Sequence, residues 1–447
     1  MKYVFLDNFR GFTRTLLQVR DVNFFVGENS TGKTSILALI KLLGTPHFWF
    51  EQRFYTDEVK LGMFKDIVSV NSPDKSYFRI GFADITGKES GESDNTDVSY
   101  AFLCTFEEEE GMPIINHYTL VTMGKQYRVH FGNKSIKYKS EGECKLVNEY
   151  EYMNTLFSNW ATSHQVIGKD YTSMKIPLAR KQALLYVPSF LEDIVKKERG
   201  GVTSRRKLPP YLIRTAFEDV VWLAPIRTKP LRTYDTYRLD YSPEGEHTPY
   251  LIKKLLSRRT KDQREQADRF VSFIEDFGRD SGLFKSISIK DYDRRIKTSP
   301  FELDIILTEE ALSVDNVGYG VSQALPIIVE LFAQEKNTWF TIQQPEIHLH
   351  PKAQTALGDI LYILNQLENK RFVVETHSDF TIDGYRLRYK GKEDKRKPDT
   401  HIVFFERKTN NNVLYSIDIL ETGEISPNQP PAYRDFFIKE EMKLLGL

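Results

Sequence analysis

Residues 2–6 and 22–26 are short runs rich in Val and Phe, which predict strands, and the second leads straight into a Gly-rich turn. Ile36, Leu37, Leu39, Ile40 and Leu43 then recur at helical spacing and predict a helix over 34–43 with one apolar face. Further strands are predicted at 77–85, 99–106 and 115–122, with the polar, Gly-containing stretch 86–97 as a hairpin loop. From about 140 to 215 the apolar spacing is mostly helical. It is interrupted at 195–210, where charge, Gly-Gly and Pro-Pro predict an exposed linker. Residues 250–278 carry the pattern of a charged amphipathic helix. Strand signals return at 301–307, 339–343, 371–375 and 401–405, with helical patterns at 321–334 and 351–367 between them. Strand alternating with helix predicts a parallel α/β core. The chain shows no internal repeat and no low-complexity tract.

A length of 447 residues suits two units, or one head with a large insertion. The 62 basic residues balance the 62 acidic ones, which argues against a constitutive nucleic-acid coat and leaves local basic patches open. Three such patches stand out: Arg205-Arg206-Lys207, Arg258-Arg259 with Lys261 and Arg264, and Lys390 to Lys397. Acidic residues are interspersed among them, so a solvated surface is at least as good a reading. Cys104 and Cys144 lack metal-ligand spacing and read as free thiols of a reducing compartment. The start MKYVFLDNF has no long apolar segment, and no run reaches the roughly 18 apolar residues that a membrane span needs. The expectation is a cytoplasmic protein without a membrane partner.

Candidate chemistry begins at the turn after residue 26. Gly27-Glu28-Asn29-Ser30-Thr31-Gly32-Lys33-Thr34 fits G-x-x-x-x-G-K-[ST] in full, with an apolar strand before it and an apolar helix after it. Glycines let backbone N–H groups curl round phosphate oxygens, and the helix N-terminus adds a positive dipole end. Lys33 reaches the β- and γ-phosphates, and the Thr34 hydroxyl can ligate Mg²⁺. ATP with Mg²⁺ is therefore the expected cofactor, with Ser35 completing the loop.

In the C-terminal half the motifs follow a particular order. Gly318-Tyr319-Gly320-Val321-Ser322-Gln323 opens a helix. Trp339 to Gln343 is an apolar strand running into Gln344-Pro345-Glu346-Ile347-His348-Leu349-His350-Pro351. Phe372-Val373-Val374-Glu375 then leads into Thr376-His377-Ser378-Asp379. This order resembles the OLD-like branch of the ABC/SMC ATPases. There a signature helix, a Walker B strand ending in a P-E-x-H-L-H-P turn and a switch histidine follow one another. Asn8-Phe9-Arg10-Gly11-Phe12 and Trp222-Leu223-Ala224-Pro225-Ile226-Arg227, with Pro230, Arg232 and Tyr234, are similar to the same family. The resemblance covers residues 1–45 and about 217–447.

It implies an ABC/SMC-type ATPase head of the α/β class: a parallel phosphate-loop sheet, an antiparallel β-subdomain and a mostly helical insertion. The expected division is an N-terminal lobe over 1–139, the insertion over 140–290 and a C-terminal lobe over 291–447. The insertion is the expected surface for partner or self-association. The resemblance further implies heads that pair around ATP, with Ser322 reaching the γ-phosphate bound by the opposite head. A helix cap is the plain alternative for Ser322. His377 matches the switch histidine, and Arg10 is a candidate nucleotide contact, with Arg227 and Arg232 behind it. His348 and His350 read as part of the turn rather than as a zinc pair, since no third ligand is near in sequence.

One departure changes the expected chemistry. Two carboxylates usually end the Walker B strand, one for Mg²⁺ and one for the attacking water, and here Gln343 and Gln344 hold those places. Glutamine orients water but is a poor base. Glu346 is the nearest carboxylate, and slow hydrolysis is expected. No D-x-D element follows His377 and only about 70 residues remain, so no nuclease domain is expected there; Asp291-Tyr292-Asp293 and Glu58-Val59-Lys60 read as chance matches. The chain thus resembles the stand-alone ATPase subunits of two-gene anti-phage systems, PtuA of Septu and AriA of PARIS, which implies a separate effector nuclease. The alternative is a RecF/SMC-like DNA-repair ATPase that binds DNA itself, and a plain ATP-dependent scaffold is a third class.

Overall fold

The computed structural model describes residues 1–85, 99–163, 170–175, 220–235, 240–293, 299–389 and 397–436, with 168, 180, 182, 184, 187 and 216–218. The chain folds as two compact units. The first holds Met1–Arg20, Glu28–Val220 and Phe405–Tyr415; the second holds Asp21–Gly27, Val221–Phe404 and Ser416–Leu447.

The first unit is built on an eight-stranded sheet in the order β2-β1-β4-β5-β6-β7-β8-β9. Its strands are β1 (Lys2–Asp7), β2 (Thr15–Val19), β4 (Tyr77–Asp84), β5 (Tyr100–Glu109), β6 (Met112–Thr122), β7 (Lys125–Phe131), β8 (Ser135–Glu143) and β9 (Thr172–Lys175). Every pairing is antiparallel. Helices α1 (Lys33–Leu43), α2 (Pro46–Glu51), α3 (Phe64–Ile67) and α4 (Tyr150–Thr162) belong with it. Helix α4 shows why: Met153, Phe157, Trp160 and Ala161 fall on one stripe and are its buried residues. Phe157 stacks on Phe5 at 5.1 Å between ring centroids, over Gly81, where a Cβ would lie 2.6 Å from the Phe157 ring. On the other side Phe48, Phe54, Phe78 and Phe106 meet edge to face or stacked at 5.1–5.5 Å.

The second unit is built on the parallel strands β14, β15 and β3 of a six-stranded sheet whose order is β10-β14-β15-β3-β16-β17. These are β3 (Val22–Gly27), β10 (Val220–Leu223), β14 (Trp339–Gln343), β15 (Arg371–Glu375), β16 (Thr400–Lys408) and β17 (Asn411–Asp418). Strands β14, β15 and β3 are parallel neighbours, and β3 and β14 are buried at every residue, as strands covered on both faces must be. A small antiparallel sheet of β11 (Ser286–Asp291), β12 (Phe301–Ile306) and β13 (Ala311–Ser313) accompanies it. The helices are α5 (Thr248–Leu255), α6 (Lys261–Ser281), α7 (Tyr319–Ala333), α8 (Pro351–Glu368) and α9 (Asp379–Leu387).

The fold is the expected α/β class, with a parallel core and an antiparallel sheet. The helix predicted over 250–278 is two helices, broken after Leu256, where Thr260 and Gln263 form a capping box that starts α6. The hairpin loop at 86–97, the linker at 195–210, Arg205-Arg206-Lys207 and residues 390–396 lie outside the described residues. Arg258 pairs with Asp268, and Lys261 with Glu265 one helical turn on, so part of that basic patch is internally compensated.

Helices α8 and α9 approach through two glycines. A Cβ at Gly358 would lie 2.0 Å from the Thr381 carbonyl oxygen, and one at Gly384 would lie 2.1 Å from that of Thr355. Backbone cannot swing aside as a side-chain tip can. Gly358→Ala is therefore expected to destabilise the protein by about 1–3 kcal/mol through overpacking, although alanine in a free helix is worth up to about 1 kcal/mol over glycine. Urea midpoints of wild type and variant measure this, and a midpoint that rises would contradict the close approach.

Candidate nucleotide site

The phosphate loop leaves the second unit at Gly27 and enters the first at Glu28. Its backbone takes conformations that glycine favours: Gly27 has φ 141°, Gly32 has φ 93° and Ser30 has φ 62°. Gly32 has a second reason to be glycine, since a Cβ there would lie 2.6 Å from the Phe12 ring. Inside the loop the Glu28 carbonyl accepts hydrogen bonds from the Thr31 hydroxyl at 2.8 Å and the Lys33 ammonium at 2.7 Å. Lys33 is only 3 % exposed, so its ammonium is held back over the loop and not extended into water. Arg407 donates to the Ser30 carbonyl. Glu28, Asn29, Ser30 and Thr34 are exposed, while Thr31 and Ser35 are buried. Helix α1 starts at Lys33 with Gly32 as its cap and no acidic residue in its first turn, which leaves the positive end of its dipole uncompensated there.

Arg10 sits in the left-handed region with φ 49°. Its guanidinium donates to the Ser35 hydroxyl at 2.8 Å and to the Leu61 carbonyl at 2.9 Å. Burial lowers its pKa, and Asp66 opposes that shift. Arg10 thus ties the start of α1 to the 61–67 segment.

In the second unit the C-terminal ends of β14, β15 and β3 lie side by side. Gln343 is the register partner of Glu375, and Glu375 is the partner of Phe25. The Thr376 N–H donates to the Phe25 carbonyl at 3.1 Å, so the turn after β15 is fixed against the strand that carries Gly27. Gln343 Nε2 lies 3.4 Å from Glu375 Oε2, and both side chains are buried. Gln344 has φ 39° and donates its N–H to the Glu375 carbonyl at 2.8 Å.

Glu346 bridges the two turns. Its Oε1 accepts from the His377 N–H at 2.7 Å and its Oε2 from the Thr376 hydroxyl at 3.0 Å. Burial raises its pKa, and these bonds with the charge of Arg227 oppose the rise. Arg227 is 5 % exposed, reaches the Gln343 carbonyl at 3.4 Å, and has its pKa lowered by burial to about 10 with Glu346 pulling the other way. It is therefore a buried counter-charge behind the turn. The His377 ring faces Phe436 at 6.2 Å. Ser378 caps α9, and its hydroxyl donates to Gln354 of α8 at 2.5 Å, so the helices after both turns are joined.

Ser322 is not a helix cap. Gly318 is the N-cap of α7, and Ser322 lies in the first turn with its hydroxyl donating to the Tyr319 carbonyl at 2.9 Å. Tyr319 is exposed and faces the His348 ring at 5.9 Å, so the start of α7 touches the turn after β14. His350 caps α8 through its ring nitrogen, and among the described residues no group of three metal-ligating side chains occurs.

The structure brings together Gln343, Gln344, Glu346 and His377 in one unit, and Arg10 with Lys33, Thr34 and Ser35 in the other. Glu375 was the residue that sequence reasoning passed over. Its signal was an acidic residue at the very end of an apolar strand, immediately before Thr-His. The donor set suits a hard cation: Glu375 offers carboxylate oxygens and Gln343 an amide oxygen, the ligand types that Mg²⁺ accepts.

The profile of a family described as AAA ATPase domain matches residues 1–198 and 226–382. No curated protein matches the chain by sequence. Among solved structures, the chain is similar to an SmcHead bound to the C-winged helix domain of ScpA, at 10 % identity and TM-score 0.44, over 93 % of this chain and 98 % of that one. An SMC head domain from Thermotoga maritima aligns at 12 % identity and TM-score 0.34, over 93 % and 98 %. An Smc head with a coiled coil and joint from Pyrococcus yayanosii aligns at 11 % and 0.40, over 99 % and 100 %.

Proposed function

The chain belongs to the AAA ATPase domain family, and on that premise we propose that it is an ABC/SMC-type head of the OLD-like branch that pairs with a second copy around ATP. The pairing switches a separate effector, a nuclease in anti-phage defence. The observation that carries the nucleotide reading is the phosphate loop, with glycine-type backbone at Gly27 and Gly32 and the Lys33 ammonium folded over the Glu28 carbonyl.

In this reading the backbone of Gly27 to Thr34, with Asn29, Ser30, Thr31 and Ser35, cradles the phosphates, and Lys33 meets the β- and γ-oxygens. Thr34 and Gln343 are the residues that would hold Mg²⁺, which would offset charge on the phosphates. Gln344, Glu346 and His377 stand at the hydrolytic end. Arg10, through Ser35, holds the start of the phosphate-binding helix. Ser322 meets the γ-phosphate of the opposite head. The order of these motifs along the chain supports the switch and its effector.

Wild type is expected to bind ATP and to pair when it does. Ser322→Arg is expected to keep ATP on single heads and lose the pairing, because a long cation replaces a small hydroxyl in the first turn of α7. Sedimentation and native mass spectrometry with ATP decide this. A Ser322→Arg protein that still forms the ATP-dependent pair removes the seam role, and a wild type with no affinity for ATP removes the reading as a whole.

A further inference from the structure

We infer that Glu375, at the end of β15, supplies the metal-side carboxylate that the Walker B strand of this chain lacks. This rests on the ATP reading above and deepens it. The strand order carries the argument. β15 lies between β14 and β3, so its end is one strand closer than the end of β14 to the strand that delivers the phosphate loop. At that level the three strands present Gln343, Glu375 and Phe25 in register. The carboxylate that is missing at Gln343 is therefore present on the adjacent strand at the same height.

The local geometry supports the exchange. Glu375 is 6 % exposed, and a buried carboxylate at a strand end calls for a compensating charge or hydrogen bonds. The Gln343 amide nitrogen points at Glu375 Oε2, so the carboxamide is held with its oxygen as a second hard donor. A glutamate at 343 would instead put a second anion against Glu375, and two carboxylates that close repel unless a cation lies between them. Glutamine at 343 and glutamate at 375 thus form one compensated pair. Glu346 already has another task, since its oxygens accept from the Thr376 hydroxyl and the His377 N–H and join the two turns.

The test uses Mn²⁺ as a spin probe with full-length protein. ATP affinity is measured in EDTA and in Mn²⁺, and bound Mn²⁺ is read from the loss of the free-ion EPR signal. Glu375→Gln is expected to keep its metal-free ATP affinity and to bind Mn²⁺ in the ATP complex roughly 10- to 100-fold more weakly, the weight of one charged ligand. Adding Gln343→Glu to that variant moves the carboxylate back to β14 and is expected to restore Mn²⁺ binding. The double variant keeps the buried charge, so it decides the question even if the single variant does not fold. A Glu375→Gln protein that holds Mn²⁺ like wild type overturns the inference. So does a double variant that binds ATP in EDTA and gains nothing from Mn²⁺, since Glu375 would then only fasten strand ends. A wild type that fails to bind ATP even in EDTA is a different result and refutes the nucleotide reading itself.

Discussion

Lys33→Ala is expected to abolish stable ATP binding while leaving the fold intact. The ammonium is buried, and its hydrogen bond to the Glu28 carbonyl fixes it over the loop before any ligand arrives. Little side-chain order then remains to be imposed on binding, which is what makes a cation effective toward phosphate. Truncating one partner of a buried charged pair typically costs about 2–5 kcal/mol, or roughly 30- to 5,000-fold in Kd. Backbone amides and the α1 dipole remain, so what survives is a weak residual affinity. The Glu28 carbonyl keeps the Thr31 hydroxyl as a donor, so the loop retains an internal tie. Isothermal titration with ATP measures the loss, and circular dichroism with a urea curve reports the fold. A Lys33→Ala protein with wild-type affinity would show that this loop does not hold the phosphates.

The strands and the phosphate loop were legible because local rules dictate them. A fully buried β3 that is apolar but for Asn23, feeding a G-x-x-x-x-G-K-T turn and an apolar helix, leaves few alternatives. The order of the C-terminal motifs also put Gln343 at the end of a strand and Glu346 and His377 in the turns that follow strands, where the structure has them. Strands β7 and β8 were missed, since Lys, Arg and His break their apolar pattern, and only pairing within the antiparallel sheet makes them strands. Glu375 was quoted in its motif and given no role, because its meaning lies in strand order. Nothing in the sequence says that residue 375 stands beside residue 343 and next to β3. Glu346 was read as a spare base because it is near in sequence; its bonds to Thr376 and His377, 30 residues or more away, are long-range facts. Arg227 was ranked as a weak nucleotide contact for the same reason, and its burial against the Gln343 carbonyl is visible only once β10 is set beside β14.

Turnover is expected to be slow, well below the roughly 1–10³ per second usual for enzymes. If Glu375 restores the metal-side charge, the remaining deficit is the base. Gln344 occupies the place where a carboxylate usually polarises water, and its amide carries no charge. Its backbone is pinned at φ 39° by the N–H bond to the Glu375 carbonyl, so the side chain's starting point is fixed whichever residue stands there. Gln344→Glu therefore places a carboxylate on the same backbone and is expected to speed single-turnover hydrolysis, by up to the 10²–10⁴-fold, approximately, that a positioned acid or base supplies. Glu346→Gln is expected to leave the chemical step nearly unchanged. Its carboxylate is already occupied as the bridge between the turn after β14 and the backbone of His377, and burial disfavours its charged form. The variant should instead loosen that bridge and lower the urea midpoint, since one acceptor oxygen becomes an amide nitrogen facing an N–H or hydroxyl donor. Rapid-quench measurements on wild type, Gln344→Glu and Glu346→Gln separate the cases. A slow wild type made faster by Gln344→Glu fits heads held together by long-lived ATP, with effector control by occupancy and hydrolysis as a reset. A fast wild type that collapses in Glu346→Gln would mean that Glu346 leaves Thr376 and His377 to take the proton from water, and a slow switch would then have to be abandoned.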